Sequence, residues 1–133
     1  MEEDEARRRF EGARVGHLAT VTSQGHPHLV PVTFAVSGNT VWTAVDAKPK
    51  RSTRLQRLAN LRGEPRVGLL VDHYEDDWEQ LWWVRSDGTA VVHESSSAGL
   101  AALRAKYVQY DAQPPPGPFI EISLTGWRWW SAS

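Results

Sequence analysis

Two segments separated by a single strand constrain this chain more than anything else in it. From Gly16 to Phe34 apolar and polar residues run either side of Ser23-Gln24-Gly25, which predicts a β-hairpin. Residues 48–62, from Lys48 to Arg62, predict a helix that opens on cations, with Pro49 in its first turn. A tight hairpin, a third strand and a cationic helix start can hold a flat ring that carries a phosphate. Apolar strands cover the ring, and the free N–H groups and dipole of the helix start take the anion. Neither segment is diagnostic alone; in this order they point to a flavin-type site.

The rest of the chain continues in hairpin order. Residues 2–14 predict a helix, with acidic residues first, arginines later and Ala6, Phe10 and Ala13 at helical spacing. Strands follow at about 15–22, 28–36 and 40–45, with Val15, His17, Ala19 and Val21 on one face of the first. Pro31 lacks an N–H and so marks the second as an edge or a bulge. Gly63-Glu64-Pro65 stops the basic helix, and further strands are expected at 67–72, 81–85 and 89–93, with Ser86-Asp87-Gly88 a turn or bulge between the last two. Ser95, Ser96 and Ser97 offer N-caps for a helix over about 97–110, on which Leu100, Leu103, Tyr107 and Tyr110 form one stripe. A Pro-rich loop, 111–118, precedes a closing strand over 119–130. Six or seven antiparallel strands with helices as insertions predict a mainly β domain, a barrel or sandwich with added helices, spanning 1–133. There is no βαβ alternation and no phosphate-binding glycine motif.

With 133 residues and no Cys, disulfides, thiolate metal sites and cysteine nucleophiles are excluded. No apolar run approaches a membrane span and the first residues are acidic, so a cytoplasmic location is expected, with no membrane partner. A net charge of −1 argues against a nucleic-acid partner. The charges are unevenly placed. Residues 46–66 hold Lys48, Lys50, Arg51, Arg54, Arg57, Arg62 and Arg66 against Asp46 and Glu64. Residues 72–79 hold Asp72, Glu75, Asp76, Asp77 and Glu79 with no Lys or Arg. A basic block beside an acidic loop suits one small polyanion.

Lys50, Arg51 and Arg54 would gather at a helix start whose dipole disfavours cations by roughly 0.3–1 kcal/mol each. A bound anion would offset that cost; a solvated charged face is the alternative. His26 and His28 share a face, but no third ligand lies near in sequence and no H-E-x-x-H occurs, so no metal site is assigned. The serines sit at turns and caps, and no general acid, base or nucleophile is assigned. Seven Trp residues suggest core and interface roles. Trp78, on the acidic loop, is the best placed of them to face a ligand.

The run Gly16–Phe34, then Asp46-Ala47-Lys48-Pro49-Lys50-Arg51, Arg57-Leu58-Ala59-Asn60, Glu64-Pro65-Arg66-Val67 and Val71 to Trp78, resembles the pyridoxamine 5′-phosphate oxidase-like split-barrel proteins. Within them it is most similar to the actinobacterial branch predicted to use the deazaflavin coenzyme F-420. The resemblance implies an FMN-binding-type split β-barrel and a homodimer with two cofactor sites at the subunit interface. Pro31, Val32, Thr33, Thr43 and Ala44 would meet the ring. Lys48, Lys50 and Arg51 would meet the phosphate, and Arg57 is a further cofactor-binding position. The partner subunit would add residues from its acidic loop, which carries Trp78, and from its Trp-rich strand. The implied activity is hydride transfer between F-420 and a small enone, quinone or tetrapyrrole-like molecule. The alternatives are an FMN-dependent oxidoreductase and a non-catalytic flavin, F-420 or tetrapyrrole carrier. The five net positive charges over 46–66 suit the carboxylates of an F-420 tail and favour it over FMN.

Overall fold

Seven antiparallel strands make one curled sheet in the order β2-β1-β5-β6-β7-β4-β3 in the computed structural model, which describes residues 1–45 and 51–133, with backbone alone over 51–55. In chain order the elements are α1 (Glu3–Gly12), β1 (Gly16–Val21), β2 (Pro27–Val32), β3 (Ala35–Ser37) and β4 (Thr40–Ala44). Then come α2 (Arg51–Gly63), β5 (Arg66–His73), β6 (Trp82–His93), α3 (Ser97–Lys106), α4 (Gln109–Ala112) and β7 (Phe119–Ser131). The fold is mainly β with added helices, a split half-barrel. Gly25 (φ +82°) and Gly38 (φ +61°) supply the left-handed residues of the turns after β1 and β3. Pro31 lies on the sheet's edge strand, paired on one side only, with His17 of β1.

Three predicted elements differ from what is seen. The strand expected over 28–36 is two, β2 and β3, because the chain turns at Thr33-Phe34 and its polar groups there bond to side chains instead of a ladder. The two short strands expected at 81–85 and 89–93 are one, β6, whose register against β7 shifts between Asp87 and Gly88. The interruption is a bulge and not a turn, since both halves keep pairing with β7. The helix expected over 97–110 ends at Lys106, where Tyr107 takes extended angles (φ −114°, ψ 112°), and resumes as α4. Ser96 is the N-cap of α3, its Oγ accepting from the Gly99 N–H at 2.9 Å.

Two cores hold the sheet. Inside the curl, Leu18, Phe34, Val41, Leu69, Val71, Val84, Ile120 and Ile122 pack with Ala6 and Phe10 of α1 and Leu58 and Leu61 of α2. Phe10 is fully buried, its ring centroid 5.0 Å from Trp127 in an edge-on contact and 5.2 Å from Phe34. A side chain of this size buried in full stabilises by about 1.5–3 kcal/mol. Outside the curl, Leu103, Tyr107 and Tyr110 cover Ala35, Trp42, Ala44 and Phe119. Here α3 and α4 roof the β3–β4 half of the outer face. The β1–β2 half carries no helix and exposes Val21 (37%) and Leu29 (68%). No helix among the described residues is long and apolar enough to cross a membrane.

Candidate cofactor site

The chain changes direction at Thr33-Phe34, between the two end strands of the sheet, and this corner is bonded from three elements. Thr43 of β4 donates its hydroxyl to the Thr33 carbonyl at 2.8 Å. The hydroxyls of Thr33 and Tyr110 lie 2.7 Å apart. The Phe34 N–H donates to the Tyr107 hydroxyl at 3.0 Å, and that hydroxyl's proton lies between the carbonyls of Phe34 (3.0 Å) and Arg14 (2.9 Å). Lys106 donates its ammonium to the Phe34 carbonyl at 2.9 Å and sits 3.9 Å above the Phe34 ring. Bonds of this kind replace the ladder the corner gives up and satisfy the Thr33 carbonyl and both backbone groups of Phe34.

Burial, helped by the nearby Arg14 cation and opposed by Glu11, pushes the Lys106 ammonium down to about 8. Burial also raises the Tyr107 phenol, so it stays a neutral donor. The groups bonded at the corner are hydroxyls, backbone amides and carbonyls, and one ammonium, with no carboxylate or imidazole among them. The set is largely bonded to itself, which fixes the corner and leaves the half-buried Thr33 as the hydroxyl best placed to meet a ring. It contains no side chain suited to general acid–base work near neutral pH except Lys106, whose ammonium is already engaged.

The structure brings Thr33 and Thr43 into direct contact, and places the other predicted positions as follows. Pro31 is exposed on the outer face of β2, free to form a wall. Val32 is buried in the inner core and Ala44 under α3, so each can offer a ligand only its backbone. Ala35 of β3 pairs with Trp42, so Thr43 and Ala44 run past β3 with a strand neighbour, β7, on one side only. Arg57 is buried on α2 at 8% exposure, near Asn60, which donates to Thr20 of β1 at 2.9 Å. Trp78 is 74% exposed on a short 3-10 turn between β5 and β6, and no described contact joins it to the corner of its own chain. Lys48 and Lys50 lie outside the described residues, and Arg51 is described only as the first residue of α2. Among the described residues no group of three His, Asp or Glu could hold a metal ion.

Reading the sequence missed Tyr107, Tyr110 and Lys106 as parts of this corner. The two tyrosines appeared only as members of an apolar stripe. Their buried phenols, each needing a partner, were the available signal. A separate groove of about 530 Å³ lies on the uncovered β1–β5–β6 side, lined by Ala19, Val21, Pro27, Gly68 and Thr89 and by the Glu64–Arg66 ion pair. Hydrogen bonds from Arg66 pull the Glu64 carboxyl down to about 2. This groove shares no residue with the corner and belongs to the face that α3 and α4 leave open.

The pattern of the pyridoxamine 5′-phosphate oxidase family matches residues 2–131. The chain belongs to that family. No curated protein matches it in sequence. A conserved hypothetical protein from Mycobacterium tuberculosis superposes with a TM-score of 0.78 at 26% identity, over 99% of this chain and 86% of that one. A FAD-binding protein from Mesorhizobium loti gives 0.73 at 20% identity, over 97% and 92%. HutZ, a heme storage protein from Vibrio cholerae, gives 0.70 at 18% identity, over 96% and 94%. The family's fold thus carries proteins named for flavin and for heme.

Proposed function

We propose that this family member is an oxidoreductase that binds coenzyme F-420 at the Thr33–Thr43 corner and transfers a hydride to or from a small enone, quinone or tetrapyrrole-like molecule. The observation that carries this reading is the corner itself: a rigid, hydroxyl-lined bend beside a strand edge, in a family whose fold holds flavins. When bound, the deazaflavin supplies the hydride chemistry. Thr33 orients the ring, and Thr43, 1% exposed, fixes the Thr33 carbonyl from behind. Pro31 shields the ring, and backbone groups of Val32 and Ala44 approach it. Arg57 and the basic block over 46–66 hold the phosphate and the carboxylate tail, which is the reason for preferring F-420 to FMN.

The proposal includes a homodimer. It is supported by the uncovered sheet face, where Val21, Leu29 and Val91 are 37%, 68% and 52% exposed. A second copy there would cover the groove and bring its own acidic loop, with Trp78, towards a site this chain leaves open. Titration decides the cofactor: F-420 is expected to bind more tightly than FMN. Tighter FMN binding, or protein that purifies yellow, replaces this reading with the FMN-dependent one.

A carrier of flavin, F-420 or tetrapyrrole is the second reading, favoured by a corner that bonds no carboxylate or imidazole among the described residues and by a fold shared with a heme storage protein. Reduced F-420, mixed with the protein and a panel of enones, quinones and biliverdin, separates the two. Oxidation faster than the protein-free control by any of them ends the carrier reading.

A further inference from the structure

Resting on the cofactor reading above, we infer that Tyr110 is a positioning residue that makes the Thr33 hydroxyl a hydrogen-bond donor to a carbonyl or ring-nitrogen acceptor of the bound ring. The two oxygens are 2.7 Å apart, and either could donate by distance alone. Satisfaction of the buried groups decides between them. Tyr110 is 8% exposed, and among the described residues its hydroxyl meets no acceptor other than Thr33. If Thr33 donated, the phenol proton would be buried without a partner, which is the costly arrangement. Tyr110 therefore donates and Thr33 accepts.

That choice has a consequence for Thr33. Its carbonyl is already taken by Thr43 and its side-chain oxygen by Tyr110, so the polar feature its side chain has left for a ligand is its own hydroxyl proton. Thr33 is only half-buried, so this proton can meet something from outside the protein. The rotor is held from behind by a phenol whose ring is buried and packs edge-on against Tyr107, 5.7 Å between centroids. The corner thus presents a donor of fixed direction, suited to the ring carbonyls that FMN and F-420 share.

The test compares full-length wild type with Thr33→Val, Thr33→Ser, Tyr110→Phe and the Thr33→Val/Tyr110→Phe double variant, each titrated with FMN and with F-420. Dissociation constants, the absorption maximum of the bound ring and melting temperatures are read together. Thr33→Val and Tyr110→Phe should each weaken binding of the preferred ring about 3- to 10-fold, as for one hydrogen bond, and shift its absorption alike. Thr33→Ser should bind as wild type does. The double variant should be no weaker than Thr33→Val alone, since Tyr110 acts through Thr33. Additive losses, or a Tyr110→Phe variant that binds with wild-type affinity and spectrum, overturn the inference and leave the cofactor reading standing. Wild type that binds neither ring overturns both. Should Tyr110→Phe not fold, proton NMR of the wild type reads the same bond. A slowly exchanging Tyr110 hydroxyl with a cross-peak to the Thr33 methyl supports the assignment; a rapidly exchanging one overturns it.

Discussion

Lys106 donates to the carbonyl of Phe34 and covers the ring of the same residue, at 2.9 Å and 3.9 Å. One side chain from α3 thereby grips both the backbone and the side chain of the corner that separates β2 from β3. The ring's negative face and the carbonyl both favour the charged amine. Burial and Arg14 oppose it and win, which is why its proton is lost near pH 8.

This balance makes stability depend on pH in a definite direction. Folding lowers the Lys106 value from 10.5 to about 8, so between those limits the unfolded chain binds more protons than the folded one. Stability should therefore rise with pH from about 8. Above pH 10 the raised Tyr107 phenol reverses the trend, because the unfolded chain then releases a proton the folded chain keeps. Arg14 and Glu11 are the other charges acting on Lys106. Melting temperature against pH should pass through a maximum near pH 10, and Lys106→Met should flatten the rise below it. A rise that survives in Lys106→Met assigns it to another group.

Gly99 lets α3 sit directly on β4. A Cβ there would lie 2.6 Å from a ring carbon of Trp42 and 3.0 Å from Phe119. Gly99→Ala improves helix propensity by about 1 kcal/mol yet should lower stability by about 1–3 kcal/mol net, since neither aromatic ring has room to retreat. Denaturant unfolding measures this. Because α3 leads into Tyr107 and Tyr110, the variant should also bind cofactor less well than its stability loss alone would predict.

Asn60 and Thr20 fasten α2 to β1. The Asn60 amide donates to the Thr20 hydroxyl at 2.9 Å and accepts from Gln56 at 2.7 Å, and both Asn60 and Thr20 are buried. Asn60→Ala should cost about 1–3 kcal/mol by stranding a buried hydroxyl. Thr20→Val in the same background should recover part of that loss. Double-mutant unfolding curves in urea check the coupling; independent, additive losses would mean the bond contributes little.

Local pattern carried much of the fold. Hairpin turns, the edge position of Pro31, the irregularity at Asp87-Gly88 and the Ser96 cap are all set by residues close in sequence, whose turn, bulge and capping chemistry is local. The break at Thr33-Phe34 is different. It depends on Tyr110 and Tyr107, which lie 77 and 73 positions further on, and nothing near Thr33 announces it. Alternation alone carries a strand straight through, and an apolar stripe alone carries the helix straight past Tyr107. Thr33 and Thr43 were named only through the family resemblance, and the tyrosines that bond to this corner, far on in the chain, leave no mark in the residues around it.

Lys50 and Arg51 test the anion half of the site. If they hold the cofactor phosphate, changing both to Ala should weaken binding by about 2–5 kcal/mol, as for truncated charge pairs at an interface. Apo stability should stay level or rise slightly as the Arg51 cation leaves the first residue of α2. Added salt should weaken wild-type binding more than binding to the double variant. A double variant that binds every candidate cofactor as wild type does would make these cations a solvated face.

The dimer proposal turns on Leu29, which is 68% exposed on β2 beside Ala19 of β1. In a two-fold interface each patch meets its own copy or a neighbouring part of it, so one added charge is introduced twice. Leu29→Arg should convert a particle of twice the 14.9 kDa chain mass into a monomer in sedimentation at micromolar concentration. Its melting temperature should change little beyond the loss of association, since the side chain leaves no core contact behind. Cofactor affinity should fall with the dimer if the partner's acidic loop completes the site. Trp78→Ala then separates two causes, for it removes that contribution while leaving Leu29 and the sheet face intact. It should stay dimeric and bind the cofactor more weakly. Wild type that sediments as a monomer sinks the dimer, and a Trp78→Ala variant with unchanged affinity sinks the shared site.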